Sequence, residues 1–176
     1  MILTLREVID FIILIIAIAY IFTSNFSPRT LYSRFNFGNF KTSLLATSPA
    51  VFFHELFHKI FAMSFGHEAT FHIFTPGLLI GVFLKLINSP FLIIAPGFVS
   101  IPPIANDFQF RLIAFAGPLA NLLLFLIATI LLKKIKNLSE RQLIVLHLTK
   151  RINLILLAFN MIPFGPLDGA KVLFGS

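Results

Sequence analysis

His54-Glu55-Leu56-Phe57-His58 decides how this chain is read, because it sets two imidazoles and a carboxylate inside a segment otherwise built from Phe, Leu, Ile and Ala. On a helix, positions i and i+4 lie one above the other, so His54 and His58 can bind one cation with Glu55 beside it. Two neutral imidazoles supply two of the three protein ligands of a catalytic zinc. The adjoining carboxylate can take a proton from water in the open position. A pattern this short also arises by chance, so its surroundings decide its meaning.

The surroundings are apolar. Of 176 residues, 57% are hydrophobic and only 12% are charged, and the mean hydropathy is +0.94. These values lie outside the range of soluble domains and point to an integral, multi-pass membrane protein. Met1 to Thr23 reads as a retained first membrane helix: its apolar run, Phe11 to Phe22, follows Glu7 and Asp10 rather than a basic cluster, and no small-residue cleavage site follows it. The chain has no cysteine, so any metal must be held by His, Asp or Glu. The net charge of +7 arises from clusters beside apolar segments, Arg29, Arg34 and Lys41, then Lys133, Lys134 and Lys136. Such clusters anchor helices at anionic headgroups. No aromatic-interleaved basic stripe accompanies them, and nucleic-acid binding is not expected.

Along the chain, Ser24 to Thr42 reads as a polar connection, and Ser43 to Phe65 as the next membrane segment. Pro49, one turn before His54, is expected to kink that segment or mark where its regular part begins. Ionisable groups at membrane depth are expensive unless paired, coordinated or wet, so His54, Glu55 and His58 form a functional-site hypothesis by their placement alone. Gly66 ends the segment, and alternation from Glu68 to Phe74 has the period of a short strand, or else marks an interfacial loop. A strand there could pair with an unwound stretch of substrate. Thr75 to Pro103 holds two apolar runs, Leu78–Leu86 and Phe91–Ile101, each too short to span alone and bounded by prolines. It reads as a re-entrant or interfacial hairpin, with one kinked spanning helix as the alternative. Arg111 to Leu132 is a clear spanning helix, in which Gly117 and Ala120 permit close helix approach and Asn121 acts as interhelical glue. Leu138 to Arg151 is basic enough to begin at the interface, and Ile152 to Ile162 reads as a short half-helix that stops at Pro163.

The second signal is Asn160-Met161-Ile162-Pro163-Phe164-Gly165-Pro166-Leu167-Asp168-Gly169. Two prolines and two glycines break a helix in an apolar region and place a lone carboxylate, Asp168, where a buried charge needs a partner. A cation on His54 and His58 is such a partner, and Asp168 would complete its ligand set.

With both stretches in view, the chain resembles the site-2 protease family of intramembrane zinc metalloproteases. Its two signatures are HExxH in one core helix and N-x-x-P-x-x-P-x-D-G in another. The resemblance spans about Ser43 to Val172 and is nearest to compact archaeal members; Gly117-Pro118-x-x-Asn121 looks like the family's middle core helix. It implies one zinc ion per chain on His54, His58 and Asp168, with Glu55 as general base and acid. It also implies that Asn160 helps to hold substrate or the developing oxyanion. Many members continue into further helices beyond the Asp-Gly segment, and no PDZ-like or nucleotide-binding regulatory domain is recognisable in this sequence.

The expectation is therefore an all-α polytopic membrane protein. Residues 1–42 would be an N-terminal transmembrane helix and polar connection, and residues 43–176 an intramembrane metalloprotease with a three-helix catalytic core and a short strand or re-entrant hairpin around 68–104. Its partners would be a transmembrane protein or peptide substrate and the lipid bilayer, in the plasma membrane; the oligomeric state is left open. A site facing the cytoplasm, as the resemblance implies, puts the basic loops 24–42 and 133–141 outside, against the positive-inside rule. The alternatives are a non-catalytic zinc-binding membrane protein on the same scaffold and a structural bundle or transporter fragment without metal.

Overall fold

A computed structural model describes residues 2–23, 36–87, 89 and 97–175. It is mainly helical: α1 (Leu5–Phe22), α2 (Phe37–Ser64), α3 (Thr75–Leu86), α4 (Asp107–Lys134), α5 (Glu140–Asn160) and α6 (Asp168–Phe174). Two short strands, β1 (Thr70–Ile73) and β2 (Gly97–Ser100), pair antiparallel with Phe71 opposite Val99. Helix α2 is central, packing against α1, α4 and α5, while α4 also carries α6. The three expected core segments are thus α2, α4 and the α5–α6 pair.

Helix α2 starts earlier than its apolar stretch suggests. Asn36 caps it by accepting a hydrogen bond from Asn39 N (3.0 Å), and Thr42 Oγ1 donates back to Gly38 O (3.0 Å). These bonds satisfy the first turns locally. The helix therefore runs across residue 42, and the polar connection is shorter than Ser24–Thr42; residues 24–35, with Arg29 and Arg34, lie outside the described part. Pro49 sits inside the helix without ending it. Around it α2 presents small buried residues, Ser43, Ala46, Thr47, Ser48 and Ala50. Ser48 Oγ donates across to Ile15 O on α1 (3.2 Å). Small side chains let neighbouring backbones approach, and Ala116 and Ala120 answer them on α4.

The strand reading of 68–74 is met by β1. Its partner β2 lies within the second apolar run, of which residues 91–96 lie outside the described part, as do Asn88 and Pro90. Phe71 is the anchor of the pair: it stacks on Phe11 of α1 with ring centroids 4.1 Å apart, and Leu14, Ile18 and Leu78 complete that core cluster. A second cluster, Ala62, Ala69, Ile104 and Ile113, fixes the hairpin against the end of α2 and the start of α4.

Helix α5 corrects one expectation. Instead of an interfacial stretch followed by a half-helix, it is one continuous 21-residue helix. Ser139 and Gln142 form a capping box at its start, and no proline or glycine interrupts it before Met161. The basic residues at 141, 150 and 151 are accommodated without a break. Among the described residues two helices, α4 and α5, are long and apolar enough to cross a membrane. Helix α1 has 18 residues and carries Arg6, Glu7 and Asp10 in its first turns.

Candidate metal centre

Two elements deliver one cluster of three side chains. His54 and His58 come from one face of α2, and Asp168 is the first residue of α6, reached by the turn that Pro163, Gly165 and Pro166 enforce. Gly169 permits that turn to fold tightly, since a Cβ there would lie 2.4 Å from Met161 O. All three side chains are buried. Asp168 Oδ2 lies 3.1 Å from His54 Nε2 and 3.2 Å from His58 Nε2, and the two Nε2 atoms are 3.2 Å apart.

The protonation pattern of this triangle follows from the other ring nitrogens. His58 Nδ1–H donates to the Ile113 carbonyl (2.7 Å), which can only accept. Asn121 Nδ2 donates to Ala50 O and to Asn153 Oδ1 (both 3.0 Å), which turns Asn121 Oδ1 toward His54 Nδ1 (2.7 Å). Both neutral rings therefore carry their proton on Nδ1 and direct an Nε2 lone pair at the same point as a carboxylate oxygen. Three acceptors converging in this way are reconciled by a positive charge between them, either a proton on one Nε2 or a metal ion. Ligand atoms on a tetrahedral zinc at about 2.0–2.1 Å sit about 3.3 Å from one another, so the triangle has the size of one face of such a site. His54, His58 and Asp168 are accordingly a group that could hold a metal ion.

The surroundings are built to hold the rings in place. Gly117 of α4 lies against both of them: a Cβ at that position would be 2.3 Å from His58 Nε2 and 2.6 Å from His54 Nε2. Asn153, the one buried residue of α5, holds Asn121 and in turn donates to Thr149 O (2.8 Å). The bridge Asn153–Asn121–His54 thus joins α5, α4 and α2 behind one ligand. Arg111 Nη1 donates to the Val172 and Leu173 carbonyls (2.9 and 2.7 Å), fastening the end of α6 to α4. Opposite charge at Lys171 stands 3.6 Å from Asp168 Oδ1.

A comparison with curated proteins gives an independent relation. The chain is 37% identical over 169 residues, 96% of its own length and 83% of the relative's, to a protein of Methanocaldococcus jannaschii named "Putative zinc metalloprotease MJ0611". The chain belongs to the family of this putative zinc metalloprotease. Membership supports a metalloprotease role in general, and together with the His54, His58 and Asp168 cluster it points to zinc as the metal. No family model and no solved structure matches the chain.

For this family member the sequence-nominated residues divide in two. His54, His58 and Asp168 are brought together, and Glu55 is buried one residue from His54, with no hydrogen bond or ion pair among the described residues. Asn160 stands at the end of α5, where its Nδ2 donates to Leu156 O (3.1 Å). The Ile113 carbonyl, Asn153 and Arg111 were not nominated. A carbonyl leaves no mark in a sequence, but Asn153, set four residues after Thr149 and seven before Asn160, lies in a readable polar stripe along α5.

Proposed function

We propose that the chain is an intramembrane zinc metalloendopeptidase of the site-2 protease type, hydrolysing peptide bonds within or near transmembrane segments of other proteins. The observation that carries this reading is the triangle of His54 Nε2, His58 Nε2 and Asp168 Oδ2, with Glu55 one residue from a ligand and unpaired among the described residues. Zinc held by these three residues, one ion per chain, would acidify a water and polarise the scissile carbonyl. Glu55 accepts the proton of the attacking water and delivers it to the departing amine. Asn160 keeps a second amide N–H beyond the one given to Leu156, with which it can hold substrate or the developing oxyanion.

The membrane setting is supported by surfaces that are apolar on both sides of a helix. Helix α1 buries Phe11, Leu14, Ile18 and Ile21 while exposing Val8, Ile9, Ile12 and Ile16. Helix α5 buries one residue and exposes Leu143, Ile144, Leu154, Ile155 and Phe159. Contiguous apolar surface of this kind is costly in water and neutral in hydrocarbon. The reading therefore places α1, α2, α4 and α5 as membrane helices of a multi-pass protein of the plasma membrane. Water would reach the site along the polar backbone of residues 163–169.

A substrate helix must unwind before its peptide bonds can be reached, and strand addition to the hairpin is a means of holding it extended. The outer edge of β1 is already occupied at Phe71, whose N–H donates to Glu7 Oε1 (2.8 Å). The outer edge of β2, around Val99, makes no backbone hydrogen bond among the described residues and is the edge assigned to substrate. The test is cleavage of reporter transmembrane peptides in detergent by the parent and by Glu55→Gln. Loss of cleavage at parental zinc content is expected, whereas undiminished cleavage by Glu55→Gln overturns the mechanism. Zinc binding without any cleavage would favour the non-catalytic alternative.

A further inference from the structure

Lys59 stands four residues after Glu55 on α2, in the order and spacing at which a glutamate and a lysine pair best along a helix. Yet its Nζ is engaged by α1 and by the residue before β1, and it makes no ion pair with Glu55. It forms a buried ion pair with Glu7 Oε1 and donates to Ala69 O (2.7 Å). Both Glu7 and Lys59 are almost fully buried. The Glu7 carboxylate is held from three elements: Thr4 N and Thr4 Oγ1 donate to Oε2 (2.8 and 3.0 Å), while Phe71 N and Lys59 donate to Oε1. A carboxylate receiving four donors, two from the Thr4 cap of α1 and one each from β1 and α2, has little freedom to move.

We infer that Glu7 is a positioning residue for the Glu55 carboxylate: by holding Lys59 against β1, it keeps the ammonium of Lys59 off Glu55 and leaves that carboxylate unpaired and in place beside His54. The inference rests on the role proposed above for Glu55. Without Glu7, the Lys59 ammonium retains only the Ala69 carbonyl, and the nearest unpaired anion along its own helix is Glu55. A Glu55 carboxylate paired with Lys59 is occupied and is drawn along the helix, out of position to engage a water beside His54 and His58. The role of Glu7 is exerted through Lys59 and touches neither substrate nor metal.

This assigns opposite effects to removing the anion and to removing both charges. Glu7→Ala is expected to lower kcat about 100-fold, the range in which a positioned general base acts, at parental zinc content and KM. The double variant Glu7→Ala/Lys59→Met is expected to recover most of that loss, because no ammonium is released. Where Glu7→Ala does not fold, Glu7→Gln, which keeps an acceptor for Phe71 N–H, takes its place in both arms. A structure of the single variant is expected to show Lys59 Nζ within 4 Å of the Glu55 carboxylate, the contact limit for an ion pair.

A double variant no faster than the single one overturns the inference, since Glu7 would then act only by anchoring β1 to α1. Lys59 still seated on Ala69 O, away from Glu55, in the single variant's structure overturns it as well, whatever the activity. Equal cleavage by the parent and Glu55→Gln is a different result: it overturns the protease reading, while the structural arm continues to report where Lys59 goes.

Discussion

Gly117 and His58 are as close as a backbone and an imidazole can be: a single methyl on Gly117 would lie 2.3 Å from His58 Nε2, and it would crowd His54 Nε2 as well. The glycine on α4 thereby serves as the wall of the candidate metal centre, and the separation of α2 from α4 leaves the space the rings need. Gly117→Ala is expected to push both Nε2 atoms off their common point and to lower zinc affinity by about 10–100-fold or more, the range seen when the supports of a metal ligand are lost. Zinc per chain after dialysis against a weak chelator measures this. Retention of parental zinc by Gly117→Ala would refute the geometry.

Asn121 joins two functions that substitutions can separate. Its Oδ1 fixes the His54 tautomer, and its Nδ2 ties Ala50 O and Asn153 into the core. Asn121→Leu removes both and is expected to cost about 1–3 kcal/mol of stability through the unsatisfied groups it leaves, together with weaker zinc binding. Asn121→Asp keeps the acceptor for His54 while losing the donors, so it should bind zinc better than Asn121→Leu while still melting lower than the parent. Melting curves and zinc titrations on both variants test the separation.

These contacts mark where the sequence could and could not be read. The convergence of His54, His58 and Asp168 was legible because each lies in a motif with a geometric meaning: i, i+4 on a helix for His54 and His58, and a proline-glycine turn that delivers Asp168. Strand β1 was legible from its alternation, whereas β2 was hidden in a run of apolar residues that carries no period by itself. The division expected between an interfacial stretch to Arg151 and a half-helix from Ile152 is absent because a charge on one face of a long helix does not stop it; a proline or glycine would. Glu7 and Lys59 are 52 residues apart, and nothing local in either segment announces their pairing. Asn121 was recognised as a bridge between helices, but which ring it orients depends on the packing of α2 against α4.

Arg111 acts on the site from the far end of α6. Its guanidinium donates to the Val172 and Leu173 carbonyls and pairs with Asp107 (2.7 Å), so it satisfies the open end of the helix that carries Asp168. Arg111→Met should leave the α2–α4 contact intact and loosen α6. The expected result is a lower zinc affinity, by about tenfold, with His54 and His58 still supplying a weakened site. Protease accessibility of the 168–174 helix should rise in parallel. Unchanged zinc affinity would show that the turn at residues 163–167 positions Asp168 without help from α4.

Metal removal tests the centre as a structural element as well as a chemical one. Two Nε2 lone pairs and a carboxylate oxygen, each 3.1–3.2 Å from the others and buried, repel one another unless a cation stands between them. On the proposed reading zinc binds the folded chain and has no comparable site in the unfolded one. The stabilisation follows RT ln(1 + [L]/Kd), about 4 kcal/mol at a thousandfold excess over Kd. Chelation is expected to lower the Tm of the detergent-solubilised protein, and added zinc to restore it in proportion to the logarithm of its concentration. Asp168→Asn should abolish most of that dependence, because a neutral amide oxygen binds the ion far more weakly than a carboxylate. A zinc-dependent Tm that survives both Asp168→Asn and His58→Ala would place the bound ion elsewhere on the protein.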